Sequence, residues 1–164
     1  MTITTVQGDL MQQAVDALVN PWNINVMPRW WPSGGVSGQL KKRTGPQPWA
    51  DLRAVGRMPT GTAVVTGAGE LETIRAIIHV AGLHPWWRAS EGSVRDSVRA
   101  AGEAATSHGL LSVATPLIGA GTGGIPPDKA REWILDELTR RTDDIHWVIV
   151  LHQQPRLIRH DLCR

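Results

Sequence analysis

The sequence predicts an α/β fold, a mixed sheet with helices on both of its faces. Short apolar runs with the length and composition of buried strands alternate with stretches whose apolar residues fall at helical spacing. Two of the strand-to-helix junctions are glycine-rich, at residues 34–38 and 119–124. The 164 residues, 41% hydrophobic and 20% charged, suit one domain whose core needs no cross-links, so residues 1–164 are read as a single domain.

Residues 3–7 alternate polar and apolar side chains as an edge strand does, and end at Gly8-Asp9. Residues 11–16 read as a turn or short helix. Ala17-Leu18-Val19-Asn20 reads as a short buried strand stopped by Pro21. Residues 22–33 contain Trp22, Trp30 and Trp31 among prolines, which no regular element accommodates. Gly34-Gly35-Val36-Ser37-Gly38 then leads into a helix over 39–43, ending at Gly45-Pro46, and a helical turn falls near 49–55. A strand is predicted over 62–66, with Gly67-Ala68-Gly69 turning after it, and a strongly apolar one over 75–80 (RAIIHV). The longest helical pattern covers 90–107, with Val94, Val98, Ala101 and Ala105 on one face. A strand over 112–118, a glycine loop over 119–124 and a helix from Pro126 to Arg141 follow. Residues 145–151 close the pattern with another buried strand.

The glycine loops carry the chemistry. Four glycines in the six residues 119–124 let successive N–H groups turn toward one point without Cβ interference. Between a strand's carboxyl end and a helix's amino end, such a loop is either a flexible turn or an anion site, most often for phosphate. A second loop of the same grammar at 34–38 makes a pair able to clamp a diphosphate from two sides. Gly119, Gly121 and Gly124 also satisfy G-x-G-x-x-G. Ile125-Pro126-Pro127 delays the helix, however, and Asp136 and Glu137 fall mid-helix rather than at the end of a following strand. Both features argue against a dinucleotide-binding unit. In an α/β sheet the ligand is expected outside the carboxyl ends of the strands.

Composition narrows the partners. Eight Trp and no Phe or Tyr mean that any stacking must come from Trp or His. A net charge of +2 and a pI near 9.2 tolerate an anionic ligand without the dense basic stripe of an obligate nucleic-acid binder. The single cysteine, Cys163, has no partner for a disulfide, and the first residues lack the basic and apolar regions of a signal peptide. A cytoplasmic protein without membrane contact is expected. The scattered histidines offer no metal cluster, and no cofactor is implied.

Six blocks, in order, resemble the macrodomain family over nearly the whole chain. They are Gly8-Asp9, Val19-Asn20-Pro21-Trp22-Asn23, Gly34-Gly35-Val36-Ser37-Gly38, Pro59-Thr60-Gly61-Thr62-Ala63, Ile77-Ile78-His79-Val80-Ala81-Gly82 and the loop from Ile118 to Pro126. The resemblance implies a three-layer α/β/α fold with a central mixed sheet, and ADP-ribose or an ADP-ribosylated macromolecule as partner. It implies that Asp9, with Leu10, meets the adenine, although Asp9 also reads as a turn or cap residue. Gly34, Gly35 and Val36 would face the diphosphate from one side. Gly119, Ala120, Gly121, Thr122, Gly123, Gly124 and Ile125 would face it from the other, with Thr122 able to add a hydroxyl. Asn23 would orient the distal ribose. Asn20 would join it there, or else tie its own loop together. His152 would stack on adenine or be structural. His79 reads as a satisfied core histidine.

Departures from the family pattern bear on catalysis. Ser37 stands where the hydrolytic branch has a water-activating aspartate, and a serine is no general base near neutral pH without help. Lys41 stands where a histidine is usual. It belongs to the run Lys41-Lys42-Arg43, which reads most simply as a solvated face, although other branches of the family use a lysine catalytically. Gly123 stands where an aromatic often covers the distal ribose, as if one wall were missing. Trp30 and Trp31 would replace that wall as a lid, or else pack on the core edge or form an interface. Trp86 and Trp87 would line the same mouth, core packing being the default. The resemblance thus implies an enzyme that hydrolyses ADP-ribosyl linkages on protein or nucleic acid, ADP-ribosylated DNA or RNA included, or in O-acetyl-ADP-ribose. Water would attack at the distal ribose anomeric carbon, with Asn23, Ser37 and Lys41 as the catalytic candidates. The alternative is a reader that binds ADP-ribose without cleaving it, because Ser37 replaces the acid.

Overall fold

The computed structural model describes residues 1–23, 34–84 and 86–152. Six strands form one sheet: β1 (Thr2–Gln7), β2 (Ala17–Trp22), β3 (Ala63–Gly67), β4 (Ala76–Ala81), β5 (Ser112–Pro116) and β6 (His146–Leu151). Their spatial order is β1-β6-β5-β2-β4-β3, with every neighbouring pair parallel except β3 on β4. The mixed sheet is therefore as predicted, with β1 at one edge.

Four helices cover the two faces: α1 (Gly35–Arg43), α2 (Gln47–Ala54), α3 (Glu91–Ser107) and α4 (Pro127–Thr139). The period of two along each buried strand decides which face a side chain feeds. Val19, Ile78, Val80, Val113 and Ile149 pack with Val94, Val98 and Ala101 of α3 and Ile134 and Leu138 of α4. Leu18, Ile77, Ala114 and Val148 point the other way, onto Leu40 of α1 and Trp49 and Leu52 of α2. Such strands carry near-continuous apolar runs because both faces are covered. Ser90 caps α3 through a reciprocal pair with Ser93, each side chain accepting from the other's N–H at 3.1 and 2.9 Å.

Most boundaries fall within one or two residues of the sequence reading, and three of the differences bear on the site. The helix expected over 39–43 begins at Gly35, so the first glycine segment is the opening turn of α1 rather than a loop before it. Val36, Ser37 and Leu40 supply the inward face that earns those extra residues. The strand expected to reach Ile118 ends at Pro116. The strand expected to stop at Pro21 runs on to Trp22.

The last two corrections have one cause. β2 pairs with β4 along its whole length, from Ala17 opposite Ala76 to Trp22 opposite Ala81. With β5 it pairs only at Ala17–Val113 and Leu18–Ala114. The Trp22 carbonyl accepts from Gly82 N at 3.2 Å on the β4 side, so the alternate residue Pro21 turns its main-chain groups toward β5. Continued at the same register, the β2–β5 ladder would next need an N–H from Pro116 and then one from Pro21, and proline has none. Pro21 is tolerated in a central strand because its donorless edge faces this gap. The sheet parts between β2 and β5, toward their carboxyl ends.

Among the described residues no helix is long and apolar enough to cross a membrane.

Candidate functional site

Five parallel strands end on one edge of the sheet, which gathers most of the predicted residues there. Asp9 and Leu10 follow β1, Asn20 and Asn23 lie at the end of β2, residues 119–125 follow β5, and His152 follows β6. Gly8 N donates to Leu151 O at 3.0 Å, holding the first and last of these ends together.

At the end of β2 the polar groups form a closed, buried chain. Ser37 Oγ shares its one proton between Asn20 Oδ1 at 2.7 Å and the Pro21 carbonyl at 3.2 Å. Asn20 Nδ2 donates to His79 Nδ1 at 2.9 Å, so the ring proton sits on Nε2 and goes to Thr66 Oγ1, also at 2.9 Å. Thr66 passes its own proton to the Gly67 carbonyl at 3.0 Å. Asn20 and His79 have no exposed surface. Burial pushes the His79 imidazole down from 6.5 to about 3, which keeps it neutral. His79 is thus the satisfied core histidine of the sequence reading. Of the two roles open to Asn20, the structure has the internal tie, in which both amide atoms are engaged. Ser37 is likewise buried and turned inward. Asn23 is buried beside them at 4% exposure.

The packing of α1 against this network sets its first turn at the end of β2. Gly34 precedes the helix in an extended conformation with no side-chain cap, and Gly35 enters it with φ 59°, in the left-handed region that favours glycine. Gly34 and Gly35 are exposed. The uncapped opening of α1 therefore presents main-chain donors at the sheet edge.

The second segment stands across the gap, at the end of β5. Ala120 N bonds Leu117 O, Gly124 N bonds Gly121 O and Ile125 N bonds Gly119 O, at 3.1, 3.1 and 3.0 Å. Those three bonds coil the loop and leave the N–H groups of Gly121, Thr122 and Gly123 without partners among the described residues. Gly121 and Thr122 are exposed. Gly123 is not the opened wall that was expected. A Cβ there would lie 2.6 Å from the Gly119 carbonyl and 2.7 Å from Ala89 Cβ, so its side-chain direction is filled by protein. Ala89, which sequence reasoning passed over, is the floor of this loop. Its N–H donates to Gly123 O at 3.1 Å and its methyl group lies under Gly119 and Gly123. Only its small size, after three large residues, hinted at that position.

Asp9 caps the 3-10 turn Leu10–Gln12, its Oδ1 accepting from Met11 N at 2.9 Å, while Oδ2 meets Arg43 at 3.1 Å. Leu10 is buried in the α1–α2 core. His152 is exposed. The Lys41 ammonium lies over the rings of Trp22 and Trp49, 4.9 and 5.1 Å from their centroids, so Lys41 is not the solvated residue its run suggested. Partial burial, then the nearby Arg53 charge, lowers its pKa. Trp86 and Trp87 do not pack in the core: they are 85% and 37% exposed. Trp30 and Trp31, the expected lid, lie outside the described residues.

A cavity of about 710 Å³ opens at the opposite end of α3 and α4, lined by Arg99, Glu137, Arg141 and Asp143 among others. Its charges neutralise one another, Arg99 with Glu137 at 3.0 Å and Arg141 with Asp143 at 2.5 Å, and no predicted residue reaches it. Among the described residues no cluster of His, Cys, Asp or Glu could hold a metal ion.

Residues 19–134 match the Macro domain family. The chain is 34% identical over 169 residues to an O-acetyl-ADP-ribose deacetylase of Escherichia fergusonii, a match covering 94% of this chain and 92% of that protein. It is 38% identical to a macro domain-containing protein of Streptomyces coelicolor, covering 78% of this chain and 77% of that one. Among solved structures, the Oceanobacillus iheyensis macrodomain with ADP superposes with a TM-score of 0.78 at 25% identity, over 92% of this chain and 83% of that one.

Proposed function

Since the chain belongs to the Macro domain family, we propose that it binds ADP-ribose at the carboxyl edge of the sheet and hydrolyses ADP-ribosyl linkages there. One observation carries the binding. The uncapped start of α1 and the unpaired amides of Gly121, Thr122 and Gly123 stand on either side of the parting between β2 and β5. Two sets of main-chain donors facing a gap suit a diphosphate, which offers acceptors on both sides. The adenine end would lie toward Asp9, Leu10 and His152, with Asp9 turning an oxygen from Arg43 to the exocyclic amine. The distal ribose would lie toward Asn23 at the end of β2. The relatives named O-acetyl-ADP-ribose deacetylase favour turnover, with substrates drawn from ADP-ribosylated protein, ADP-ribosylated nucleic acid or O-acetyl-ADP-ribose.

The hydrolytic step would be water attack at the distal ribose, or at the ester carbonyl of an acetylated one. Ser37 supplies no base for it, because its hydroxyl proton is committed to Asn20 and Pro21. Lys41, whose pKa is lowered and whose ammonium lies over the ring of Trp22 at the end of β2, is the titratable candidate. The inward commitment of Ser37 also favours a second reading, a module that binds ADP-ribose and releases it unchanged.

Calorimetry with ADP-ribose tests the binding, and incubation with auto-ADP-ribosylated protein, ADP-ribosylated DNA and O-acetyl-ADP-ribose tests the turnover. Release of ADP-ribose or acetate supports the enzyme. Binding without release from any of the three supports the reader, and absence of binding overturns both.

A further inference from the structure

We infer that Arg43 reads the base of the bound nucleotide, donating to a ring nitrogen beside its amino group while Asp9 accepts from that amino group. The inference rests on the ADP-ribose reading above and adds a specificity-determining residue to it. In the sequence Arg43 is only the last member of a basic run.

The fold brings the two residues together from separate elements. Asp9 follows β1 and Arg43 ends α1, and Arg43 Nη1 lies 3.1 Å from Asp9 Oδ2. The two Asp9 oxygens are not equivalent. Oδ1 accepts from Met11 N at 2.9 Å, which fixes the carboxylate on the turn that follows it, so Oδ2 is the oxygen open to a ligand. Among the described residues Asp9 is the only group that engages the Arg43 guanidinium. Both side chains reach solvent, Arg43 at 46% exposure and Asp9 at 25%. An exposed pair of this kind contributes little to stability, so a ligand that separates it loses little by doing so. A guanidinium only donates and a carboxylate only accepts, so the parted pair is one donor beside one acceptor.

Adenine matches that arrangement. Its amino group donates, and the ring nitrogens on either side of it, N1 and N7, accept. As the base enters, Asp9 Oδ2 passes from Arg43 to the amino group, and the freed Arg43 N–H passes to the adjacent ring nitrogen. Neither charged group is left unpaired by this exchange, and both new hydrogen bonds are of the stronger, charge-assisted kind. A base with C–H in place of that nitrogen leaves the guanidinium without its acceptor, so the pair tells the two apart. Helix α1 supplies the spacing. It opens at Gly35, in the first donor segment, and closes at Arg43; its nine residues, rising about 1.5 Å each, put about 12 Å between those ends. An extended adenosine diphosphate spans a similar length from terminal phosphate to amino group. One rigid helix thus meets phosphate at its start and base at its end.

Calorimetry with ADP, 1-deaza-ADP and 7-deaza-ADP tests this, on the full chain and on its Arg43→Ala and Arg43→Met variants. Each analogue replaces one flanking nitrogen by C–H and keeps the amino group and the diphosphate. The unaltered protein is expected to bind ADP about tenfold or more tightly than one of the two analogues. In Arg43→Ala the affinity for ADP falls to that of this analogue, whose own binding changes little, so the preference collapses. Arg43→Met keeps the apolar stem without the donors and is expected to match Ala; melting curves check that both variants fold. Equal binding of all three nucleotides by the unaltered protein overturns the inference. A preference that persists in Arg43→Ala does so too, because the donor would then be on the main chain. So does an equal loss for all three nucleotides, the mark of a general attraction for diphosphate. Tighter ADP binding by Arg43→Ala also overturns it, since Arg43 would then only compete for Asp9. A protein that binds neither ADP nor ADP-ribose removes the main-site reading and the role of Arg43 together, whereas the preceding results remove that role alone.

Discussion

Ser37 Oγ donates to Asn20 Oδ1 at 2.7 Å, with both side chains buried. The residue standing where a water-activating acid was expected is therefore a donor turned toward the strand behind it. Asn20 in turn holds His79, so a line of three hydrogen bonds runs from the first turn of α1 to Thr66 on β3. The position of the first donor segment depends on groups that never reach solvent.

Asn20→Ala breaks that line at its centre. It leaves His79 Nδ1 without a donor and Ser37 without its shorter acceptor. Removal of a buried amide with two partners is expected to cost about 2–4 kcal/mol, read as a lower urea midpoint.

Ser37→Ala takes away one donor and leaves Asn20 Oδ1 unsatisfied, for a loss of about 1–2 kcal/mol in the same measurement. ADP-ribose affinity and any turnover should stay within a few-fold of the unaltered protein, because the hydroxyl faces inward. A fall in kcat of about a hundredfold would instead make Ser37 part of the chemistry.

His79 makes stability depend on pH. Its folded pKa, about 3, lies below the value of 6.5 expected when unfolded, so the unfolded chain takes up the proton first. The contribution of the neutral ring is complete above pH 6.5 and is lost as pH falls from there toward 3. Between pH 7.5 and pH 5 the loss from this one group is about 2 kcal/mol. Urea midpoints at the two values measure it, and His79→Gln should flatten that part of the profile.

Gly121 and Gly123 should separate stability from binding. A methyl group at 123 meets the Gly119 carbonyl and Ala89, so Gly123→Ala is expected to cost about 1–3 kcal/mol and to disturb the loop. At 121 nothing lies within 4 Å of the added carbon. Gly121→Ala should melt like the unaltered protein yet bind ADP-ribose more weakly, if phosphate approaches that backbone.

Much of the architecture was legible because each buried strand and each long helix carries its own period. The apolar run from Ile77 to Val80 and the face of Val94, Val98 and Ala101 need no tertiary information to be recognised. The errors fell where a neighbour overrides local preference. Glycines 34 and 35 looked like loop, but Ser37 and Leu40 pull the helix back to include Gly35. Pro21 looked like a strand end, and only the gap on its β5 side explains why it is not. For Trp86 and Trp87 the sequence offers the mouth of the site or, by default, the core, and the bonds of His84 that hold them outward leave no mark in it. At the site, the glycine segments were readable as anion loops, whereas the fate of Ser37 hung on which partner its hydroxyl met.

Pro21 and Pro116 leave the sheet with missing rungs at its middle rather than at its rim. A diphosphate seated between the two donor segments would bridge them, as a stitch joins two panels of cloth. Occupancy would then be mechanical as well as chemical. The half containing β2, β3 and β4 and the half containing β1, β5 and β6 would exchange amide protons more slowly together once joined, with the largest slowing at the ends of β2 and β5. A ligand cut and released would return the seam to its looser state, so each catalytic cycle would also be a cycle of stiffening and relaxation in the centre of the protein.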